Sequence, residues 1–506
     1  MSEDKPKGPD FTQGVPTASI AVGEMVAGRV GEDAVLIART AEGLYAIGAS
    51  CTHYHGPLAE GLIADSSVRC PWHHACFDLK TGEAIGAPAI DPVACWAVKV
   101  HGDKVFVTEK RPTAAPKSAP SKVQRVVIVG AGAAGFAAAE MLRRHGFAGD
   151  LTLLSADRDP PYDRPNCSKD FLAGKASTEW MPLRDDDFYR TQKIDLRLET
   201  EVVALNPKRN LLTLKTGDTL PYDVLVLATG AEPQRPSIPG LESAKVHTLR
   251  SLRDAEAIIT AAENAKRVAV IGASFIGLEA AAALRERGLQ VHVIAPEATP
   301  LGKILGDDLG QWVKSVHEQR GVVFHLGRKV LAFADGQIKL DEGPSIAVDF
   351  LIAGTGVKPR IALAQAAGLK VDDGVVVDDR LRTSVKNIYA VGDIARYPDK
   401  ISGRLIRVEH WVHAQRQGQH VARAILGADM PFTDPPFFWT AHYDKALHYS
   451  GHAEDFSQPT IEGSIASGKA VARYEAEGKL TAVATLDQDL ESLRSERALE
   501  LQTQAQ

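Results

Sequence analysis

The chain writes one supersecondary unit twice, at VVIVGAGAAGFAAAEMLRR (residues 126–144) and at VAVIGASFIGLEAAAALRE (residues 268–286). In each, a solid apolar run enters a glycine-rich turn and then an alanine-rich helix. A solid run, rather than an alternating one, belongs to a parallel strand buried on both faces. A strand followed directly by a helix must cross over to reach its parallel neighbour, and it does so with one hand. Two such units predict two doubly wound α/β dinucleotide-binding domains.

The first turn, Gly130-Ala131-Gly132-Ala133-Ala134-Gly135, has the spacing that cradles a pyrophosphate. Gly130 turns tightly, Gly132 lets the backbone approach the phosphates, and Gly135 lets helix and strand pack closely. Asp157, about 20 residues on, is the candidate for the adenosine ribose hydroxyls. The second turn keeps Gly272 and Gly277 and puts Ser274 between them, small enough to leave the phosphate path open. Past the next strand, Glu297 offers an acid that binds a free 2′-hydroxyl and repels a 2′-phosphate. That favours NAD over NADP, although Glu297 sits about two residues beyond the usual place.

Ahead of these units the chain changes style. Residues 15–108 carry short β-like runs between Gly, Asp and Glu turns, which predicts a small all-β module. A Pro-, Ala-, Ser- and Lys-rich stretch within 109–122 reads as a semi-extended linker, long enough at about 3.1 Å per residue for docking within one chain. The module holds Cys51-Thr52-His53 and Cys70-Pro71-Trp72-His73. One cysteine and one histidine per loop would put two thiolates on one iron of a [2Fe–2S] cluster and two neutral imidazoles on the other. The other reading of Cys51, His53, Cys70 and His73 is a structural zinc site, whose usual spacing is C-x2–4-C with H-x3–5-H. Five cysteines in 506 residues make no disulfide scaffold, and a net charge of −6 offers no basic field to nucleic acid. The N-terminus has no secretory apolar stretch, and no apolar run is long enough to span a bilayer. A soluble, cytoplasmic protein is the expectation.

On CTHYHGPL and CPWHHACFDLKTGEAIGAPA, the module resembles the Rieske-type ferredoxin domain. His74 stands where that family usually carries Gly, and His55 is also extra. His73 is the ligand by its spacing from Cys70, with His74 the other candidate. The first box lacks a second cysteine, so the resemblance implies the low-potential type.

From residue 124 to about 500, ordered motifs resemble the flavoprotein superfamily of pyridine nucleotide-disulfide oxidoreductases, in its ferredoxin reductase and apoptosis-inducing-factor-like branch. Leu227-Ala228-Thr229-Gly230 and Gly354-Thr355-Gly356 match the strand-end motifs flanking the NAD insertion, and Asn387–Asp393 (NIYAVGD) matches the second FAD motif. The resemblance implies cofactor contacts at Thr229, Gly230, Gly356, Gly392 and Asp393. It implies that Arg164 and Lys169, in PYDRPNCSKDFL, run past the flavin. Lys169 and Glu279 are then the catalytic pair near flavin N5, and Trp411 and Trp439 line the flavin and nicotinamide side. FAD binding is expected over 123–248 and 374–430, NAD binding over 249–373, and a C-terminal α+β domain over 431–500. The last twenty or so residues read as a surface helix or a frayed tail.

Beyond the linker, Cys167 stands alone, so dithiol chemistry lacks a partner. The expected path is NADH to FAD to the [2Fe–2S] centre to an acceptor, a ferredoxin or an oxygenase component. Flavin suits it by accepting a hydride and releasing electrons singly. Two other readings are a single-cysteine thiol or peroxide reductase using Cys167, and a non-catalytic redox-sensing flavoprotein.

Overall fold

The computed structural model describes residues 7–112, 122–242, 245–454, 456 and 458–504. Most of the expected linker lies outside them. At its start the strand Lys104–Arg111 keeps pairing with Cys95–His101 as far as Arg111. Residues 109–111 therefore belong to the sheet, where the neighbouring ladder satisfies their backbone groups.

The N-terminal module has two antiparallel sheets. A six-stranded sheet runs from Val15–Pro16 through Lys104–Arg111, Cys95–His101, Gly43–Gly48 and Asp33–Thr40 to Met25–Val30. A four-stranded sheet of three-residue strands (Leu62–Ala64, Ser67–Arg69, Cys76–Asp78, Ala84–Gly86) carries the second Cys–His loop.

The first doubly wound sheet is wholly parallel, in the order Ile194–Arg197, Asp150–Leu154, Arg125–Val129, Val224–Leu227, Ile388–Ala390. Its last strand arrives from beyond the second sheet, which is also parallel: Val246–His247, Phe350–Ala353, Arg267–Ile271, Gln290–Ala295, Val323–Leu326. Ligands of such folds bind beyond the carboxyl ends of the strands, where the strand order reverses. Both glycine turns sit there. A Cβ on Gly135 would stand 1.8 Å from the Gly130 carbonyl oxygen, so only glycine lets the helix come this close.

The C-terminal domain is a five-stranded antiparallel sheet (Phe437–His442, Lys445–Gly451, Lys479–Leu486, Lys469–Ala476, Thr460–Ser464) followed by the helix Asp489–Gln504. That helix is no frayed tail: one face lies open at Arg494, Ala498 and Leu501, and the other is buried. Leu493, Glu496 and Leu499 share one face at helical spacing and are all fully buried. A buried glutamate hides the face from pattern reading, and partners far away in sequence explain the burial. The Glu496 carboxylate accepts from Arg416 (2.6 Å), from His74 Nδ1 (2.8 Å) and from Arg69 (3.4 Å). One turn on, Glu500 takes both terminal nitrogens of Arg69 (2.7 and 2.8 Å). Through Arg69 and His74 the helix clasps the N-terminal module.

Candidate functional site

The two Cys–His loops are copies of one turn. The His55 N–H donates to the Cys51 carbonyl (3.0 Å) and the His74 N–H to the Cys70 carbonyl (3.1 Å), and each loop closes on a left-handed histidine, both at φ 61°. That conformation explains why glycine is comfortable at such a position. The Cys51 sulfur accepts from the backbone N–H groups of His53 and Tyr54, and the Cys70 sulfur from those of Trp72 and His73. Such donors favour thiolates. His53 and His73 present their Nδ1 atoms to each other at 3.2 Å. Two nitrogens about 2.1 Å from one tetrahedral metal stand ~3.4 Å apart. The donors thus divide into a buried sulfur pair and a nitrogen pair, which is the division a mixed-ligand [2Fe–2S] cluster needs. His74 is otherwise engaged. Its Nδ1 lies on Glu496, its Nε2 lies 3.1 Å from Ser492 Oγ, and its ring stacks on Phe437 with centroids 3.8 Å apart.

A cleft of about 1570 Å³ runs between the two doubly wound sheets. Gly130, Gly132, Asp157 and Arg164 line its first half with Thr229, Gly230, Gly392 and Asp393, and Ser274, Gly277 and Gly356 line its second. Gly135 and Gly272 do not face it; they shape the turns. A Cβ on Gly272 would stand 2.4 Å from the Gly354 carbonyl oxygen. Glu297 is not brought to the cleft either. Its strand ends at Ala295, and the Glu297 carbonyl accepts from Gly327 N–H (3.0 Å) in the loop beyond.

Arg164 lies beside the first glycine turn. Its guanidinium reaches to 3.6 Å from where a Cβ on Gly132 would stand, and its Nε is buried with no partner among the described residues. A half-buried cation on the cleft wall with a spare, buried Nε donor beside this glycine turn fits a dinucleotide pyrophosphate. Sequence reasoning missed two supports. Arg250 pairs with Asp393, and the Tyr162 hydroxyl donates to Asp157 (3.2 Å). Arg250 lies in a loop with no motif, and Tyr162 is one of several residues in a turn, so neither carries a local signal.

Deeper in the cleft, Lys169 Nζ lies 2.8 Å from Glu279 Oε2. Ser168 donates to the same oxygen and Thr440 donates to the other (2.7 Å). Cys167 lies one residue before Ser168 but is 2% exposed, and burial pushes its thiol up to about 12. It is a protonated core residue at neutral pH.

Trp439 lies between the Cys–His loops and the cleft. Its ring lies 4.2 Å from that of His73 and 6.5 Å from that of His53, while Lys169 Nζ sits 5.9 Å from it on the cleft side. Trp411 also lines the cleft and packs with Trp439 against Ala87, Val412 and Phe437. Strand alternation explains the arrangement: along Phe437–His442, Trp439 faces the module while Thr440 and His442 face the other way. Around this contact the Tyr54 hydroxyl donates to Asp163. Arg184 holds Asp91 (2.6 Å), and Arg144 and Arg423 donate to the Ala84 and Ile85 carbonyls (both 2.6 Å). Charge-assisted bonds on several sides fix the module in one orientation.

Comparison with known proteins agrees with this geometry. Residues 124–418 match the pyridine nucleotide-disulphide oxidoreductase family model, and residues 13–97 match the Rieske [2Fe-2S] domain. The chain is 31% identical to human apoptosis-inducing factor 3 over 488 residues, 92% of this chain and 80% of that protein. It is 36% identical over 367 residues to the ferredoxin–NAD(+) reductase component of the anthranilate 1,2-dioxygenase system of Burkholderia cepacia, 71% of this chain and 90% of that one. Among solved structures, the putidaredoxin reductase–putidaredoxin covalent complex superposes with a TM-score of 0.73 at 31% identity, covering 76% of this chain and 94% of that chain.

Proposed function

The chain belongs to the pyridine nucleotide-disulphide oxidoreductase family and carries a Rieske [2Fe-2S] domain ahead of it; on that premise we propose that it passes electrons from NADH via FAD to its own Rieske centre and on to a ferredoxin-like or oxygenase-component acceptor. The observation that carries the reading is Trp439, packed on the ligand candidate His73 on one side and open to the cleft beside Lys169 on the other. FAD supplies the change from two-electron to one-electron transfer.

The residues divide the work as follows. Gly130, Gly132 and Arg164 hold the FAD pyrophosphate, with Asp157 at the ribose and the Arg250–Asp393 pair along the same wall. Ser274 and Gly277 receive NADH, and Thr229, Gly230 and Gly356 line the passage between the two sites. Lys169, positioned by Glu279, would set a positive charge beside the bound flavin. Trp411 and Trp439 exclude water from the reacting face. Cys51, Cys70, His53 and His73 hold the cluster. The five cysteines, all free of disulfides, support a reducing, cytoplasmic compartment, and among the described residues no helix is long and apolar enough to cross a membrane.

An anaerobic NADH titration followed by optical and EPR spectra tests the path. Flavin bleaching and a Rieske-type EPR signal should both appear, in that order. In rapid mixing, cluster reduction should keep its rate across a dilution series. A rate that falls with dilution would mean that electrons pass between chains, and no cluster signal at all would remove the reading.

A further inference from the structure

Behind Lys169 and Glu279 a second line of polar groups leads away from the cleft. Glu279 Oε1 accepts from Thr440 Oγ1 (2.7 Å), Thr440 Oγ1 lies 3.3 Å from His442 Nε2, and His442 Nδ1 lies 3.1 Å from His317 Nε2. All four residues are at most 3% exposed. They come from the glycine-turn helix Phe275–Glu286, the strand Phe437–His442 and the helix Asp307–Gln319. The outer nitrogen, His317 Nδ1, is buried and has no partner among the described residues, and the same holds for the Tyr443 hydroxyl, whose ring centroid is 5.3 Å away. Beside Tyr443 lies a surface ion pair, Arg320–Asp444 (2.7 Å).

The reaction proposed above needs such a line. When NADH is oxidised its C4–H bond breaks. The electron pair ends, one electron at a time, on the iron–sulfur centre and its acceptor, and the hydrogen nucleus remains: NADH → NAD+ + H+ + 2 e−. A proton left at Glu279, which is 3% exposed, needs a way out through the protein. We propose that Glu279, Thr440, His442 and His317 form a hydrogen-bonded relay that carries this proton from the cleft to the surface beside Tyr443 and Arg320. A proton bound at Glu279 moves outward as each member makes one bond to hydrogen and breaks the next. Both imidazoles exchange tautomer, and no charge stays behind.

Two features separate a relay from ordinary core hydrogen bonding. Buried polar groups in a core normally satisfy one another, whereas this chain is complete at its inner end and stops at its outer one on a buried nitrogen, His317 Nδ1, that has no partner among the described residues and lies beside Tyr443. Burial also pushes His442 and His317 down to about 3, so at neutral pH each ring offers one donor and one acceptor. That is what a relay member needs.

The inference rests on the electron path proposed above, and its test separates the two. In the holoenzyme, His442→Phe and His317→Phe should slow proton release in a single turnover, followed with a pH-indicator dye, by about tenfold or more, equivalent to ~1.4 kcal/mol of barrier. Flavin reduction by NADH should keep its rate. Added imidazole should restore release in His442→Ala. Histidine 15N NMR of the unaltered holoenzyme should find both rings neutral, with one tautomer sense that lets a single hydrogen bridge His442 Nδ1 and His317 Nε2. Unchanged proton release in both folded Phe variants overturns the relay. So do tautomers that put hydrogens on both of those nitrogens, a result that holds even if the variants fail to fold. Absence of NADH-driven cluster reduction in the unaltered protein would count against the electron path instead.

Discussion

Removing the carboxylate of Glu496 should release the Rieske module from its flavin partner. The group is fully buried and is the ion-pair partner of Arg416, itself 6% exposed; it also accepts from His74 and from Arg69. In Glu496→Ala, Arg69 keeps Glu500, but Arg416 loses its direct ion pair and is left with the Coulombic pull of Asp434. Breaking a buried pair from one side costs about 3–5 kcal/mol. At tenfold per 1.4 kcal/mol, the lower figure shifts the balance between clasped and released module by about two orders of magnitude. The helix Asp489–Gln504 touches the module through this cluster and through Arg497–Asp65 (2.7 Å), so the loss should fall on docking before the doubly wound core. Two assays report it: proteolysis within 109–122, which should speed up, and NADH-driven cluster reduction, which should slow while flavin reduction does not. The paired change Glu496→Leu with Arg416→Met removes both charges and should recover most of the loss. Wild-type protease resistance and wild-type cluster reduction in Glu496→Ala would refute the clasp.

The same carboxylate makes docking acid-labile. Burial opposes its charge, but Arg416, the His74 hydrogen bond and Arg69 outweigh that and hold Glu496 well below the usual carboxylate range. A depressed folded-state value stabilises above the unfolded value of about 4.3, and that stability is lost as pH falls toward the folded-state value, so proteolytic release should rise below about pH 4 in the wild type and rise less in the paired variant, where Glu500–Arg69, Asp91–Arg184 and Asp65–Arg497 still titrate. Cys167→Ser should retain turnover, and Cys167 should resist iodoacetamide at pH 7.5 until the protein unfolds, because its thiol sits near 12; loss of turnover would revive a thiol reductase. Arg164→Met removes charge-assisted hydrogen bonds worth about 1.5–3 kcal/mol; FAD dissociation, measured by flavin fluorescence, should strengthen in proportion, a Kd about ten- to a hundredfold higher.

The sequence alone determined the features whose physics is local. A tight turn and a helix packed on its strand are set within six residues, so the turn formed by Gly130, Gly132 and Gly135 is legible in sequence. The two Cys–His loops were legible for the same reason, since each turn presents its own pair of donors. Where a loop intervenes, spacing says less: Glu297 lies two residues past the end of its strand and outside the lining of the cleft. The helix Asp489–Gln504 reads in sequence as a surface helix or a frayed tail because its buried face carries a charge, and Arg69, Arg416 and His74, brought from two other domains, make Glu496 a core residue. His74 itself was an ambiguous ligand in sequence and became a clasp residue once both its ring nitrogens met the C-terminal helix. Trp439 between the centres, and the line from Glu279 through Thr440 and His442 to His317, depend on how a strand face meets elements far away in the chain. Turn chemistry is written in neighbouring residues, whereas paths for electrons and protons run across contacts between distant ones, and only packing decides those.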